Sequence, residues 1–292
     1  MVTAFAPGKC ILFGEHAVVY GQPAVAISID AGVEVTISES DRWILEGMPF
    51  EPSRHPHISH IINDIFQYKG SPLKIDIKSG LFSAAGLGSS AALSNSMGAA
   101  LHQFTKPNEP LDLISLAKMG HSAEANAQKG RASPTDTATS ALGGCIVVSG
   151  HKVRGTRHVF DATLETPEGS RSWSVCEAKL PEIEDIWIVL GSTGIGSPTG
   201  KMVEGVSELI GKYPQKMDDI RAIGDITSSG LASLSAGDME GVGSAMSSCH
   251  ERLRNLGVSC NELENLISAV DSHSLGAKLT GAGGGGCMVS LT

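Results

Sequence analysis

A short stretch of glycines and serines, Gly86-Leu87-Gly88-Ser89-Ser90, has the composition of a phosphate-binding loop. Glycines let the backbone wrap closely around a ligand. A helix that begins at the serines would add unpaired N–H groups and the positive end of its dipole, which together favour an anion. An ordinary serine N-cap after a glycine turn is the simpler alternative. Two glycines and two adjacent serines within five residues favour the anion site.

Two other nucleotide-binding patterns fit less well. Gly86, Gly88 and Ala91 match the permissive dinucleotide string. However, the preceding strand pattern ends well before Gly86, and the acidic residue about 20 positions on, Glu109, falls in a loop. A Walker P-loop is excluded at 196–202, because that stretch is one residue short and ends in Met where a metal-binding hydroxyl must stand.

Two carboxylates stand in positions that could hold a metal or move a proton. Leu113, Ala117, Gly120 and Glu124 follow helical spacing, so Glu124 lies on a core-facing stripe. A carboxylate there must be paired or bound to a metal, and a paired structural glutamate fits the spacing equally well. Twelve residues later, Asp136 precedes a segment of small residues. It is a candidate general base, with a helix N-cap as the alternative.

The N-terminus contributes a lysine, a glutamate and a histidine between two apolar runs. Lys9 interrupts a strand-like run of apolar residues, which predicts an ammonium group directed into a site rather than into solvent. Glu15 and His16 follow directly after that run. The remaining histidines lie in polar or helical settings without partners at zinc-ligand spacing, so a zinc site is not expected.

A second concentration of glycine, Gly281–Gly286, lies between two apolar strand patterns. Ordering consecutive glycines costs backbone entropy, so they are expected in a structured place only where side chains would obstruct something. The pattern predicts close approach to a ligand or to the other half of the chain.

Composition excludes several classes of protein. The chain has 292 residues, 35 of them glycine, and a net charge of −9, without an extended basic cluster. Nucleic acid and anionic membranes are therefore not expected partners. No apolar run approaches the roughly 18 residues of a membrane helix. The six cysteines form no Cys-x-x-Cys pair and follow no signal-like segment, which predicts a reducing cytoplasm.

Hydrophobic periodicity predicts an α+β protein of two domains, 1–180 and 181–292. Alternating strand patterns cover 33–38 and 73–78, and helices are predicted from Pro56, after Ser89 and over 111–128. Residues 150–180 show little periodicity and are predicted to form a linker or a peripheral hairpin, with the boundary near Pro181. The second half is predicted to contain these elements: a strand at 186–190, helices at 199–213, 218–235, 238–256 and 261–273, and strands at 277–280 and 287–291.

Together these stretches resemble the GHMP kinase superfamily, most closely its archaeal members that phosphorylate mevalonate. The resemblance runs from residue 7 to residue 286 in family order, and it implies an N-terminal domain like the second domain of ribosomal protein S5 and a ferredoxin-like C-terminal domain. Four stretches carry it: Pro7-Gly8-Lys9 with Phe13–Gly21, Gly86–Ala92, Ser133-Pro134-Thr135-Asp136, and Lys278–Gly286.

The resemblance also implies roles for single residues. Asp136 corresponds to the catalytic base, and Lys9 to the residue that lowers the pKa of the alcohol and stabilises the transferring phosphoryl group. Lys9 would also keep Asp136 ionised at neutral pH. Ser90 and Glu124 correspond to the Mg²⁺ ligands. The implied ATP-phosphate contacts are Gly86, Leu87, Gly88, Ser89, Ser90 and Ala91. The implied substrate contacts are Glu15, His16, Ser133, Thr193, Gly281 and Gly283.

The implied activity is phosphorylation of mevalonate by ATP and Mg²⁺ in the cytoplasm. Three alternatives stay open: a related kinase acting on phosphomevalonate or homoserine, a catalytically silent sensor of the same fold, and a nicotinamide-dependent oxidoreductase. Retention of Lys9, Ser90, Glu124 and Asp136 disfavours the sensor, because a binder needs neither a base nor a metal site. Members of the superfamily are often homodimers. They usually continue beyond the last glycine-rich strand with a further helix and strand, so the second domain is expected to be either trimmed or incomplete after Thr292.

Overall fold

The computed structural model describes residues 1–130, 132–166, 169–182 and 186–292. These ranges contain eight α-helices and two sheets, one of eight strands and one of three. The larger sheet lies between residues 2 and 178, and the smaller one between residues 188 and 291. The expected α+β architecture is confirmed.

The larger sheet is organised around one long strand, β2. One edge of β2 pairs antiparallel with β1, while its other edge pairs first with β6 and then with β5. The order across the sheet is β4-β3-β5-β2-β6-β8-β7, with β1 beside β2. The strands are β1 (Val2–Phe13), β2 (Ala24–Glu39), β3 (Ile44–Leu45), β4 (Met48–Pro49), β5 (Leu73–Ser79), β6 (Cys145–Ser149), β7 (Thr156–Thr166) and β8 (Gly169–Ala178).

Four helices accompany this sheet, and three of them carry predicted site residues. The helix predicted from Pro56 is present, although it continues after His60 as a π-helical turn, Ile61–Ile65. The helix predicted after Ser89 is present and begins at Ser89, and the helix predicted over 111–128 is confirmed within two residues at each end. The four are α1 (Pro56–His60), α2 (Ser89–Thr105), α3 (Leu113–Ala127) and α4 (Thr135–Leu142).

The smaller sheet has the antiparallel order β10-β11-β9. Its strands are β9 (Ile188–Ser192), β10 (Gly276–Thr280) and β11 (Cys287–Leu291), and its helices are α5 (Thr199–Lys212), α6 (Met217–Ala236), α7 (Met239–Asn255) and α8 (Asn261–Val270). None of the helices in the described ranges is long and apolar enough to cross a lipid bilayer.

The two sheets share a hydrophobic core, which fixes the second half of β1 against the smaller sheet. Leu12 and Phe13 of β1 belong to the same buried cluster as Val289 and Leu291 of β11. The backbone N–H of Ile11 donates to the hydroxyl of Thr280, at 2.9 Å. The residues that follow β1 are therefore held beside the end of β10.

Of the two predictions for residues 150–180, a linker or a peripheral hairpin, the hairpin is confirmed. β7 and β8 form an antiparallel hairpin, and β8 also pairs with β6, so the hairpin extends the main sheet. Trp173 and Val175 of β8 are buried. The register irregularity between His158 and Phe160 interrupts the alternation of β7, which makes this strand hard to recognise in sequence.

Candidate active site

A cavity of about 360 Å³ opens where the end of β1 meets the glycine-rich stretches. Its walls come from β1 and the turn after it, from α3 and α4, from β8 and from α5. Among the predicted site residues, those lining it are Lys9, Glu15, His16, Gly86, Glu124, Ser133, Asp136 and Gly281.

Lys9 is almost completely buried, and its ammonium group lies between two oxygens. A β-bulge interrupts the β1–β2 register between Pro7 and Lys9, and bulges of this kind redirect a side chain. The Nζ atom donates to the Gly86 carbonyl oxygen at 2.9 Å and lies 3.1 Å from Asp136 Oδ1. The strand thus directs a cation into the cavity, as the sequence predicted.

Asp136 is the second residue of α4 and is not its N-cap, which is Pro134. Of its side-chain surface, 39% is accessible, and that surface faces the cavity. Burial raises the pKa of the carboxyl group, and Lys9 only partly opposes the rise. Lys9 lowers this pKa, as expected, but the walls of the cavity desolvate the carboxylate more strongly than the ammonium stabilises it.

The first glycine stretch, Gly86–Ser90, has the turning backbone that its glycines predicted. Gly86 and Gly88 both have positive φ, and Gly88 is the N-cap of α2, so no side chain caps the helix. Its first N–H groups lack acceptors within the helix. Ser89 is the first residue of α2. Leu87 and Ala91 are buried, so their side chains point into the core.

Glu124 is buried on α3, as its spacing predicted, and is surrounded by polar groups. Gln128 Nε2 donates to its Oε2 atom, His57 Nε2 lies 3.3 Å from its Oε1 atom, and the Ser90 hydroxyl also contacts the carboxylate. Burial raises the pKa of Glu124, but these contacts together outweigh it and the net direction is downward. Among the described residues, Oε1 has no aligned hydrogen-bond donor although it is buried.

A second ammonium group, that of Lys278, lies beneath the cavity and pairs with Glu15. Both side chains are buried, and Lys278 Nζ contacts Glu15 Oε1 and also donates to the Leu279 carbonyl oxygen at 2.6 Å. Burial raises the pKa of Glu15, and Lys278 opposes this. Because Glu15 follows β1 and Lys278 belongs to β10, this ion pair joins the two sheets.

His16 and Ser133 occupy the cavity wall with defined partners. His16 has a φ of 60°, a strained conformation for a residue with a Cβ, and its Nε2 atom bonds the Ala282 carbonyl oxygen at 2.9 Å. Burial lowers the pKa of His16, so the ring is neutral and Nε2 is the donor. The Ser133 hydroxyl donates to the Thr135 hydroxyl at 3.1 Å.

The second glycine stretch packs against backbone from elsewhere in the chain. A Cβ on Gly281 would lie 3.0 Å from the Cα of Gly86, and one on Gly283 would lie 2.0 Å from the Val258 carbonyl oxygen. Of the two expectations for this stretch, close approach to another part of the protein is therefore observed. Thr193 does not line the cavity; its hydroxyl donates to the Gly286 carbonyl oxygen at 2.8 Å.

Several cavity residues were missed from the sequence. Arg171 and Trp173 line the cavity from β8, within the segment predicted to form a linker or a peripheral hairpin. The alternation of Arg171, Trp173 and Val175 is the signal that could have identified this strand. The sequence indicated Lys278 only as part of the family resemblance. Its buried pairing with Glu15 could not be predicted from neighbouring residues, because the two positions are 263 residues apart.

Both halves of the chain match one family of small-molecule kinases. The family description "GHMP kinases N terminal domain" matches residues 57–144, and "GHMP kinases C terminal" matches residues 231–292. The chain belongs to the GHMP kinase family.

Within that family, the similar curated relatives are mevalonate kinases. That of Methanothermobacter thermautotrophicus is 31% identical over 99% of this chain and 89% of its own length. That of Archaeoglobus fulgidus is also 31% identical, over 99% and 91%. The Methanococcus jannaschii mevalonate kinase structure aligns with a TM-score of 0.77 at 25% identity, over 99% of this chain and 90% of that one. The L. major mevalonate kinase in complex with R-mevalonate aligns with a TM-score of 0.78 at 25% identity, over 100% and 87%.

The buried Glu15–Lys278 pair leads to a stability prediction. Replacing Lys278→Met strands an unpaired carboxylate in the core and should lower the free energy of unfolding by about 3–5 kcal/mol. The double variant Glu15→Gln/Lys278→Met should recover much of this loss, since no charge is then left unpaired. Chemical denaturation measures both.

The matched control is Lys78→Met, which removes an exposed ion pair with Glu34. Solvent screens that pair, so its loss should cost less than about 1 kcal/mol. Equal decreases in the free energy of unfolding for Lys278→Met and Lys78→Met would contradict the prediction, because they would show that burial does not increase the cost of breaking the Glu15–Lys278 pair.

Proposed function

We propose that the protein transfers the γ-phosphoryl group of ATP to the 5-hydroxyl group of mevalonate. The observation that carries this proposal is the Lys9–Asp136 pair, with Nζ and Oδ1 3.1 Å apart on a cavity wall. The family membership and the similarity to curated mevalonate kinases support the choice of substrate.

Asp136 is the proposed general base. Its carboxylate faces the cavity, and its raised pKa brings its basicity closer to that of a useful proton acceptor at neutral pH. The substrate hydroxyl passes its proton to Asp136 while its oxygen forms a bond to the γ-phosphorus. The bond between that phosphorus and the bridging oxygen breaks, and ADP leaves with the electron pair.

Lys9 is the proposed electrostatic partner of the transferring group. Its ammonium is held by the Gly86 carbonyl and by Asp136, so it needs no reorganisation when negative charge develops nearby. The same charge favours the alkoxide character of the attacking oxygen. Phosphoryl transfer depends mainly on alignment and on such stabilisation.

The start of α2 is the proposed site for the ATP phosphates. Gly88 leaves the helix without a side-chain cap, and Gly86 exposes its backbone to the cavity. Backbone N–H groups and the helix dipole then bind phosphate oxygens. This local field is how a protein of net charge −9 can hold two anionic substrates.

Ser90 and Glu124 are the proposed Mg²⁺ ligands. The carboxylate of Glu124 is buried and has one oxygen without an aligned donor among the described residues. The Ser90 hydroxyl beside it completes the kind of oxygen set that Mg²⁺ accepts. When bound, Mg²⁺ neutralises charge on the phosphates. Gln128 and His57 would hold the carboxylate in place.

We also propose that the protein acts in the cytoplasm, as the pattern of its cysteines predicts. All six cysteines are free, and burial raises the pKa of Cys10 and of Cys145 to about 12, which makes these thiols unreactive. A homodimer stays a prediction from the resemblance.

A coupled ADP-release assay tests the proposed reaction. With ATP and Mg²⁺, mevalonate should be turned over with a kcat/KM at least about 10²-fold above that for phosphomevalonate or homoserine, because a site built for one hydroxyl rejects alcohols that cannot fill it. Mass spectrometry should identify 5-phosphomevalonate. ADP release with another alcohol alone, or with none, would refute the substrate assignment.

Substitutions at the catalytic pair should abolish turnover and spare nucleotide binding. Asp136→Asn removes the base and Lys9→Met removes the cation, so each should lower kcat by about 10³-fold or more. ATP affinity, measured by calorimetry, should change little because the α2 N-terminus is untouched. An unchanged kcat in either variant contradicts its assigned role.

The raised pKa of Asp136 predicts the acid limb of the pH profile. The base must be deprotonated, so kcat/KM falls as pH decreases through its pKa in the free enzyme. That limb should lie above 3.8, the ordinary value for an aspartate, because burial favours the protonated form. Circular dichroism at each pH confirms that the fold persists. A limb at or below 3.8 would show that Lys9 dominates after all.

A further inference from the structure

Three helices that carry proposed site residues meet at one buried amide group, that of Asn95. Asn95 belongs to α2 and is completely buried. Its Nδ2 atom donates to the carbonyl oxygen of Thr137, in α4, at 2.9 Å. A Cβ on Gly120 of α3 would lie only 2.2 Å from Asn95 Oδ1, so α3 approaches the amide closely because position 120 has no side chain. The amide of α2 therefore contacts both α3 and α4.

Both contacts lie close in sequence to proposed site residues. Thr137 directly follows Asp136, and its hydroxyl donates to the Pro134 carbonyl oxygen at 3.2 Å. This bond ties the first turn of α4, which contains Asp136, to the residue that Asn95 holds. Gly120 precedes Glu124 by four residues, and this spacing places both on one face of α3. The contacts of Asn95 thus connect the start of α4 and the inner face of α3 to α2.

The Asn95 amide is only partly satisfied. Among the residues that the structure describes, Oδ1 has no hydrogen-bond partner although it is buried. A buried acceptor without a donor lowers stability, whereas an apolar side chain of similar shape would avoid this cost. What the asparagine adds is the directional bond from Nδ2 to Thr137. A departure from good core packing of this kind is expected where function requires a fixed geometry.

We infer that Asn95 is a positioning residue, which holds Asp136 in register with the phosphates bound at the start of α2. The inference rests on the proposed function. The described lining of the cavity does not include Asn95, so the residue acts through Asp136 and not on the substrates. In-line transfer requires the base, the hydroxyl group and the γ-phosphorus to be aligned, and a displacement of about 1 Å can lower the rate by about 100-fold.

The first test is Asn95→Ala, which removes the bond to Thr137. We expect kcat for mevalonate to fall by about 10- to 100-fold, because Asp136 is no longer held in line. The KM values for ATP and for mevalonate should change by less than about twofold, since every side chain that is proposed to contact a substrate is retained.

Ser94→Ala is the matched control. Ser94 precedes Asn95 on α2 and is equally buried, and its hydroxyl has no hydrogen-bond partner in the described part of the chain. Removing this hydroxyl breaks no described contact between helices, so kcat should equal that of the wild type. Thermal melting verifies that both variants are folded at the assay temperature.

The double variant Asn95→Ala/Gly120→Ala separates positioning from packing. The new methyl group at position 120 fills part of the space that the amide leaves, but it cannot donate a hydrogen bond. The melting temperature, which the cavity in Asn95→Ala lowers, should recover in part while kcat stays low. A purely structural role would restore kcat together with the melting temperature. That outcome overturns the inference, as does a wild-type kcat in Asn95→Ala.

Crystal structures of the wild type and of Asn95→Ala give a measurement that does not depend on turnover. The first turn of α4 should move relative to α2 by about 0.5–1 Å in the variant, and the distance from Lys9 Nζ to Asp136 Oδ1 should increase from 3.1 Å. A wild type that phosphorylates no alcohol would refute the proposed reaction alone, and displacement of α4 would still support the positioning of Asp136 by Asn95. An unmoved α4 overturns the role of Asn95 whether or not the protein is a kinase.

Discussion

The architecture of the site depends on stabilising one buried ammonium group, that of Lys9. An unpaired charge in this position would cost several kcal/mol, so oxygens from distant segments must reach it. The bulge in β1 directs Lys9 inward, the glycine stretch supplies the Gly86 carbonyl, and α4 supplies Asp136. Gly88 lacks a side chain because a Cβ there would lie 2.9 Å from the Lys9 side chain. The arrangement that compensates the charge also brings together the proposed catalytic groups.

A second buried pair, Glu15 with Lys278, joins the two sheets beneath the cavity. Gly86 and Gly281 approach each other at the same junction, so the two glycine stretches meet across the two halves of the chain. The glycine excess of the composition is thereby explained at these positions by close backbone contact. The cavity has walls from both halves of the chain, which would suit the proposed reaction because phosphoryl transfer depends on alignment.

The proposed reaction would use different elements of the cavity. Lys9 and Asp136, the proposed reactive groups, lie near the uncapped start of α2. The hairpin holds Arg171 on another wall of the cavity, against the turn after β1. Under the proposal, local donors would meet the anionic groups of the two substrates, so the acidic net charge of the protein would not oppose their binding.

The helices other than α4, most strands and the candidate residues Lys9, Glu124 and Asp136 were predictable, because helical and strand periodicity and glycine-rich turns are properties of neighbouring residues. The spacing of Glu124 alone placed it on a buried face. The pairing of Glu15 with Lys278, the position of Arg171 and the raised pKa of Asp136 were decided by the tertiary structure. These properties depend on which distant segments pack together and how much water they exclude, and neither quantity is recorded in local sequence.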